Sequence, residues 1–306
     1  KGRDASQIAK ELDVDAAMSG RLVQIGESLN ISVQLTDART DKLIWAEQYE
    51  RKMSDLLATQ REIATAIAQK LQLKLSGDEA RGITKKYTDN NEAYQLYMKG
   101  RFHFAKRTKE DILKSIEYFQ QAIELDPNFA LAFSAIAESY NVMPSHGYLS
   151  PREATPPARA AVQKALAIDP SLAEAHTQLG SIYSNYDWDW AKAEDEYKRA
   201  LEIDPNNATS HLRYGQHLWV VGRLDESIAE LSRAVELEPL SITSSANLCL
   251  VYLNAGQKVK ALELARKNYD LEPNFITGRL ALGSALNASG MYDEAIRLAE
   301  QLPGND

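Results

Sequence analysis

The stretch ALEIDPNNATSHLRYGQHLWVVGRLDESIAELSRAVELEP, residues 200–239, holds one full structural period of this chain. An acidic-proline step stands near its start, Asp204-Pro205, and another at its end, Glu238-Pro239. The same step recurs at Asp126-Pro127, Asp169-Pro170 and Glu272-Pro273, so that successive prolines are 43, 35, 34 and 34 residues apart. Proline restricts the residue before it to an extended backbone and stops a helix. Gly222 falls midway, and Gly256 and Gly290 follow at intervals of 34; a residue free to take positive φ ends a helix cheaply. Each period is therefore a helix, a glycine turn, a second helix and a proline turn, and a chain built this way is a stack of hairpins.

Inside the period, Gly215, Cys249 and Gly283 occupy one first-helix position, where a small side chain lets a second helix approach. Second helices start at Asp225, Lys258 and Asp293 and carry small residues at Ser227, Ala261 and Ala295, while Ala165, Ala200 and Ala234 mark the tight crossing. Asn128, Ser171 and Asn206, which follow the prolines, are expected to cap the next helix. Breaks between paired helices are expected near residues 106–109, 142–157, 186–190, 221–224, 255–257 and 289–291. Val142 to Pro157, with prolines at 144, 151, 156 and 157, reads as a loop with at most a short turn.

This pattern resembles the tetratricopeptide family. The family's small first-helix residue appears as Ala137, Gly180, Gly215, Cys249 and Gly283, and its aromatic three residues on as Tyr140, Tyr183 and Tyr252, with Leu218 and Leu286 elsewhere. Its second-helix alanine appears as Ala158, Ala193, Ala261 and Ala295, with Ser115 and Ser227 as departures. Its closing alanine appears as Ala122, Ala165, Ala200 and Ala234, with Asn268 in the fifth hairpin. The resemblance implies an all-α superhelix over residues 91–306, of about five and a half repeats.

The first ninety residues have another character. Residues 4–12 read as a short helix, followed by alternating patterns at Ala16–Val23, Leu29–Asp37 and Leu43–Glu50. Turns fall at Ile25-Gly26-Glu27-Ser28 and Arg39-Thr40-Asp41-Lys42, and a helix from Ser54 to about Leu75 shows an apolar stripe of Leu57, Ile63, Ile67 and Leu71. The expected fold over residues 1–90 is an α/β fragment, a three-stranded antiparallel sheet plus helices, with Trp45 and Tyr49 on the face that meets the covering helix. Val14-Asp15-Ala16-Ala17-Met18-Ser19-Gly20, Leu43-Ile44-Trp45-Ala46-Glu47-Gln48-Tyr49 and Gln60-Arg61-Glu62-Ile63-Ala64 resemble the second half of the TolB N-terminal-like or FlgO-like domain. That resemblance implies a bacterial signalling protein in which a kinase, a nucleotide cyclase or a winged-helix domain lies upstream, and this chain is its non-catalytic portion. The chain opens on Lys1, which reads as a fragment.

Charge and composition narrow the function. The formal charge is −8, and residues 1–90 balance 14 basic against 14 acidic side chains, so the repeats hold the whole excess. An acidic array opposes a phosphate backbone, and no nucleic-acid partner is expected. No run of about 18 apolar residues is present to span a membrane, and Cys249, the only cysteine, excludes an intrachain disulfide; a cytoplasmic location is the expectation. No phosphate loop, nucleophile elbow or His-Glu-x-x-His pair occurs, so no catalytic residue, metal or cofactor is expected. His176 and His211 occupy equivalent positions in neighbouring hairpins, too far apart to share a zinc ion, and read as semi-buried packing residues; Cys249 reads the same way. Asp187-Trp188-Asp189-Trp190 reads more readily as tryptophans wedged between hairpins, with acids starting the next helix, than as an exposed anchor.

The resulting expectation is a scaffolding segment that binds a protein or peptide. By the tetratricopeptide resemblance the concave wall comes from the first helices. It would comprise Thr177, Ser181 and Ser184, then Leu212, Gln216 and Trp219, then Ala246, Leu250 and Leu253, then Leu280, Ser284 and Asn287. Of these, Leu212, Trp219, Leu250 and Leu253 are the expected apolar anchors, with Gln216 and Asn254 supplying directional hydrogen bonds. Self-association through the open final hairpin or the exposed edge of the strand set, or a groove used only for intramolecular packing, is the rival expectation.

Overall fold

A computed structural model describes residue 9, residues 14–26, 28–52, 55–71 and 87–300. Expectations for the helix at 4–12, apart from residue 9, for Glu27 and Ser54, and for residues 72–75 and 301–306 fall outside the described residues. The chain divides into two compact units, residues 1–99 with 121–128 and residues 100–120 with 129–306.

In the first unit, strands β1 (Ala16–Ile25), β2 (Ser28–Asp37) and β3 (Leu43–Lys52) form an antiparallel sheet in the order β1-β2-β3. Gly26 at φ +60° turns the chain between β1 and β2. At the second turn Asp37 accepts hydrogen bonds from the backbone N–H groups of Arg39 and Thr40 at 3.0 and 2.7 Å. Register places Leu35 opposite Trp45 and Ile31 opposite Tyr49, so these four side chains share one face. Helix α1 (Leu56–Lys70) covers that face with Ile63, Ala66 and Ile67, joined by Leu71 just past its end, against buried Val33, Leu35, Trp45 and Tyr49. The alternation of the strands and the stripe of the helix meet as their periods require. Arg51 on β3 pairs with Glu62 on α1 at 3.0 Å; both are substantially exposed, so the pair contributes at most about 1 kcal/mol.

From residue 91 to 300 there is no strand among the described residues. Helices pair as α2 (Asn91–Ala105) with α3 (Lys109–Leu125), α4 (Ala130–Val142) with α5 (Pro151–Ile168), and α6 (Ala173–Ile182) with α7 (Trp190–Ile203). They continue as α8 (Ala208–Val220) with α9 (Leu224–Leu237), α10 (Ile242–Asn254) with α11 (Lys258–Leu271), and α12 (Ile276–Ala288) with α13 (Tyr292–Glu300). From α4 onward each first helix packs on its own second helix and on the first helix of the next hairpin. The result is a helical solenoid in which the core runs along the stack. Gly215, Cys249 and the alanines stand at the crossings: Ala200, Ala234, Cys249 and Ala261 are fully buried. The Cys249 thiol donates to the Ala261 carbonyl at 3.3 Å, and burial pushes its pKa up to about 12, which makes it a packing residue.

Gly222, Gly256 and Gly290 have φ of +83°, +74° and +76°. Each is two residues before its second helix, and nothing lies within 4 Å of where a Cβ would stand. Gly256→Ala should therefore destabilise by only about 1 kcal/mol, the cost of forcing an L-residue to positive φ, read as a small shift in a urea midpoint.

Two local expectations need correction. Asn128, Ser171 and Asn206 are not the helix caps: the N-cap positions are Phe129, Leu172 and Asn207. The acidic member of the acidic-proline step does the work instead, because Asp126, Asp169 and Asp204 accept from the backbone N–H of Asn128, Ser171 and Asn206 at 3.0, 2.9 and 3.1 Å. These are Asx turns bracketing the proline. The segment Val142–Pro157 is not a loop throughout. A short 3-10 turn spans Pro144–His146, and α5 begins at Pro151 under a capping box in which Ser150 accepts from Glu153 N–H and Glu153 accepts from Ser150 N–H. Pro156 and Pro157 lie inside α5. Their fixed φ suits a helix, and the buried Ala154, Ala158, Ala161 and Val162 on the same helix hold it despite the lost N–H donors.

Candidate functional site

The first helices α4, α6, α8 and α10, together with the Pro144–His146 turn and the start of α5, enclose a cavity of about 300 Å³. Its walls mix aromatic faces with amides and a cation, among them Tyr140, Asn141, Tyr186, Arg213, Trp219 and Asn247. The polar groups are tied to one another. Gln216 donates to Asn247 at 2.9 Å and accepts from Arg213 at 3.0 Å, while the Asn141 amide donates to the backbone and side-chain oxygens of Gln178 at 3.1 and 3.0 Å. His217 is buried with Nδ1 3.0 Å from Ser184 Oγ, and burial lowers its pKa, which keeps the ring neutral.

Of the six anchors expected from the sequence, the cavity brings together Gln216 and Trp219. Leu212 is 7% exposed and packs with Leu231 and Ala234 of α9 and with Leu248 and Val251 of α10, so little of it is left for a ligand. Leu250 is half-buried, Leu253 packs on the core of the last hairpins, and Asn254 is exposed with its amide donating to the Leu250 carbonyl at 2.8 Å. Of the expected wall in the third hairpin, Ser181 and Ser184 reach the cavity and Thr177 does not, and all three are largely covered. Thr177, Ser181 and Ser184 are buried because their hydroxyls serve helix contacts, Thr177 with Ser210 at 2.6 Å, Ser181 with Tyr197 at 3.2 Å and Ser184 with His217; Ala246 on α10 is buried too. Leu280, Ser284 and Asn287 on α12 are exposed.

The tryptophans of Asp187–Trp190 are not wedges. Trp188 is 76% and Trp190 49% exposed, beside a π-helical turn over Tyr183–Asp187. Of the acids only Asp189 behaves as expected, capping α7 through Lys192 N–H at 3.2 Å, while Asp187 ends the π-helical turn and holds Arg159 at 2.7 Å. Trp188 has φ +56° and Arg107 φ +61°. Both stand two residues before a second helix, the place taken elsewhere by Gly222, Gly256 and Gly290. Aligning the hairpins on that glycine would have singled out Arg107 and Trp188 from the sequence alone, since a side chain there costs about 1 kcal/mol or more. His176 and His211 each pair at 2.6 Å with a glutamate of their own hairpin, Glu196 and Glu230. Among the described residues no group of three or more His, Cys, Asp or Glu is placed to hold a metal ion, and no helix is long and apolar enough to cross a membrane.

Comparison with known proteins agrees with this geometry. Residues 96–129 and 189–249 match tetratricopeptide repeat family models. Within the helical array, these two segments are similar to tetratricopeptide repeats. Over 306 aligned positions the chain is 20% identical to transcriptional regulator HilA of Salmonella typhimurium, covering 98% of this chain and 50% of that protein. It is 34% identical over 130 residues to type IV pilus assembly protein PilF of Pseudomonas aeruginosa, covering 42% of this chain and 51% of the relative. The chain thus spans about half the length of these relatives. The crystal structure of PilW, a type IV pilus biogenesis factor, superposes with a TM-score of 0.52 at 20% identity, over 71% of this chain and 94% of that one; at that identity the likeness shows the fold.

Proposed function

We propose that the tetratricopeptide repeats, taken from residue 91 onward, are the recognition segment of a bacterial regulatory protein, and that a peptide or a partner's extended segment docks in the cavity at Trp219. The observation that carries this reading is the cavity itself, where repeats two to five present aromatic faces beside paired amides. Aromatic anchors dominate such interfaces, and amides fix direction. Tetratricopeptide stacks in general present a concave binding surface. The alignment with HilA along nearly the whole of this chain, over half of that regulator, supports placing the effector function in sequence outside this stretch. Residues 1–90 are read as a TolB N-terminal-like domain of such a protein, on the sheet and covering helix described above.

The test is a peptide selection against the wild-type chain followed by titration of the winners. Trp219→Ala should keep its helical circular dichroism and weaken binding about tenfold or more, as the loss of a buried aromatic anchor does. Unchanged affinity in that variant, combined with loss on deleting residues 142–150, would move recognition to the inserted turn and sink the groove reading.

A further inference from the structure

Two first-helix positions are interior in the middle hairpins and exterior in the last. One is held by Ala130, Ala173, Ala208 and Ile242, all buried, and is continued by Ile276, which is 62% exposed. The other, one turn later, is held by Ser134, Thr177, Leu212 and Ala246, again all buried, and is continued by Leu280, 58% exposed. Contacts along the stack show what covers them. Thr177 meets Ser210 of the following hairpin at 2.6 Å, and a Cβ on Gly278 of α12 would stand 3.0 Å from Ile242 Cγ2. On the second helices Leu262 packs on the core shared by α10 to α13, while Ile296, 34 residues on, is 57% exposed. Ile276, Leu280 and Ile296 therefore form the side of a hairpin that receives another first helix, and no described helix lies against it.

The outer side of a terminal repeat is polar when water is its only neighbour. This one is not. Ile276, Leu280, Ser284 and Asn287 follow one another at helical spacing along α12, with Tyr292 and Ile296 exposed on α13, and none of the six carries a charge. The chain as a whole has a formal charge of −8, so two copies repel except where such an uncharged surface lets them meet.

We propose that this face binds the same face of a second copy of the chain about a two-fold axis, α12 and α13 of one copy against α12 and α13 of the other. The contact continues, between molecules, the interface that joins successive hairpins within one. Head-to-tail stacking on the first hairpin is disfavoured by the residues there. A receiving first helix offers a small residue where the preceding hairpin touches it, Ser210 against Thr177 and Gly278 against Ile242. Aligned on Gly100, whose Cβ would meet Phe119 as that of Gly215 would meet Leu231, α2 has Gln95 in that place. Tyr94 beside it already donates to Gln60 of α1 at 2.8 Å. A two-fold contact closes on itself and stops at a dimer. Its residues take no part in the cavity, so it stands apart from the groove reading.

Sedimentation of the whole 306-residue chain over a range of micromolar concentrations tests it. The mass should rise with concentration to twice that of the monomer and no further, and added salt should not reverse the rise, because the contact holds no ion pair. Ile276→Glu and Ile296→Glu should each raise the dissociation constant about tenfold or more, since the two-fold axis places every new carboxylate in the contact twice without a counter-charge. Both positions are exposed in the single chain, so helical circular dichroism and the urea midpoint of the monomer should stay at wild-type values. Phe102→Glu, on the exposed side of α2, should dimerise as wild type. A chain that stays monomeric at every concentration overturns the proposal and leaves the face to a different partner. It is equally overturned if the Ile276→Glu/Ile296→Glu double variant dimerises as wild type, or if the mass grows past the dimer and Phe102→Glu stops it, which is the signature of head-to-tail stacking.

Discussion

Gly215→Leu is expected to destabilise the repeat array by about 3 kcal/mol or more, and Gly283→Leu, at the same first-helix position two repeats on, by far less. A Cβ on Gly215 would stand 2.7 Å from Leu231 Cγ, 3.0 Å from its Cδ2 and 3.2 Å from its backbone nitrogen. The side chain of Leu231 could turn aside, but its backbone belongs to α9, and α9 is held at that distance by Ser227 donating to the Gly215 carbonyl at 2.7 Å. Relief therefore requires the two helices to part, which is the costly end of overpacking, usually 1–3 kcal/mol. At Gly283 the nearest atom is Leu298 Cδ2 at 3.9 Å, an ordinary contact. Urea unfolding followed by helical circular dichroism reads both variants. Equal losses would mean that the α8–α9 crossing is no tighter than α12–α13 and that the common position does not set the packing.

That contrast shows what a sequence period carries. Thirty-four-residue spacing placed the last three helix pairs and their glycine turns, because those depend on backbone conformations that proline and glycine impose locally. It could not say how near a neighbour would lie, so Gly215 and Gly283 looked alike. The candidate site was half legible for the same reason. The tetratricopeptide resemblance put Gln216 and Trp219 on the concave side of α8, and they do line the cavity; it put Thr177, Ser181 and Ser184 there too, and although the two serines reach the cavity, the hydroxyls of all three are taken up by α7 and α8. Whether a small polar side chain faces solvent or completes a hydroxyl pair is decided by the facing helix, not by its own register. Arg213 was passed over because an arginine between apolar positions looks like a solvated surface residue. Only the facing helices show that it lines the cavity, where its Nη1 donates to Gln216 at 3.0 Å.

A second large effect is expected from pH. His176 places Nδ1 2.6 Å from Glu196 and Nε2 3.0 Å from the Pro170 carbonyl; His211 repeats this with Glu230 and Pro205 at the same distances. Carbonyl and carboxylate oxygens only accept, so both ring nitrogens must carry a proton and the rings are imidazolium. For His176 the Glu196 hydrogen bond is the largest influence and raises the pKa against burial and Arg199. For His211 burial is the largest and lowers it, but the bonds to Glu230 and Pro205 outweigh burial and Arg233, and the result is again upward. A folded pKa above the unfolded value of about 6.5 means that the stabilisation is fully present below that pH and fades as pH rises through the folded value. The double variant His176→Gln/His211→Gln should therefore lose about 2 kcal/mol or more relative to wild type at pH 6, as for a hydrogen bond to a charged group, and clearly less at pH 8.5. Urea midpoints at the two pH values decide it, and the same loss at both would show that the rings are neutral. Each imidazolium ties a second helix to the proline step that admits its own first helix, in the repeats whose first helices α6 and α8 wall the cavity. Alkaline loosening of those two junctions should thus be felt first at Trp219, whose fluorescence reports it before the rest of the array melts.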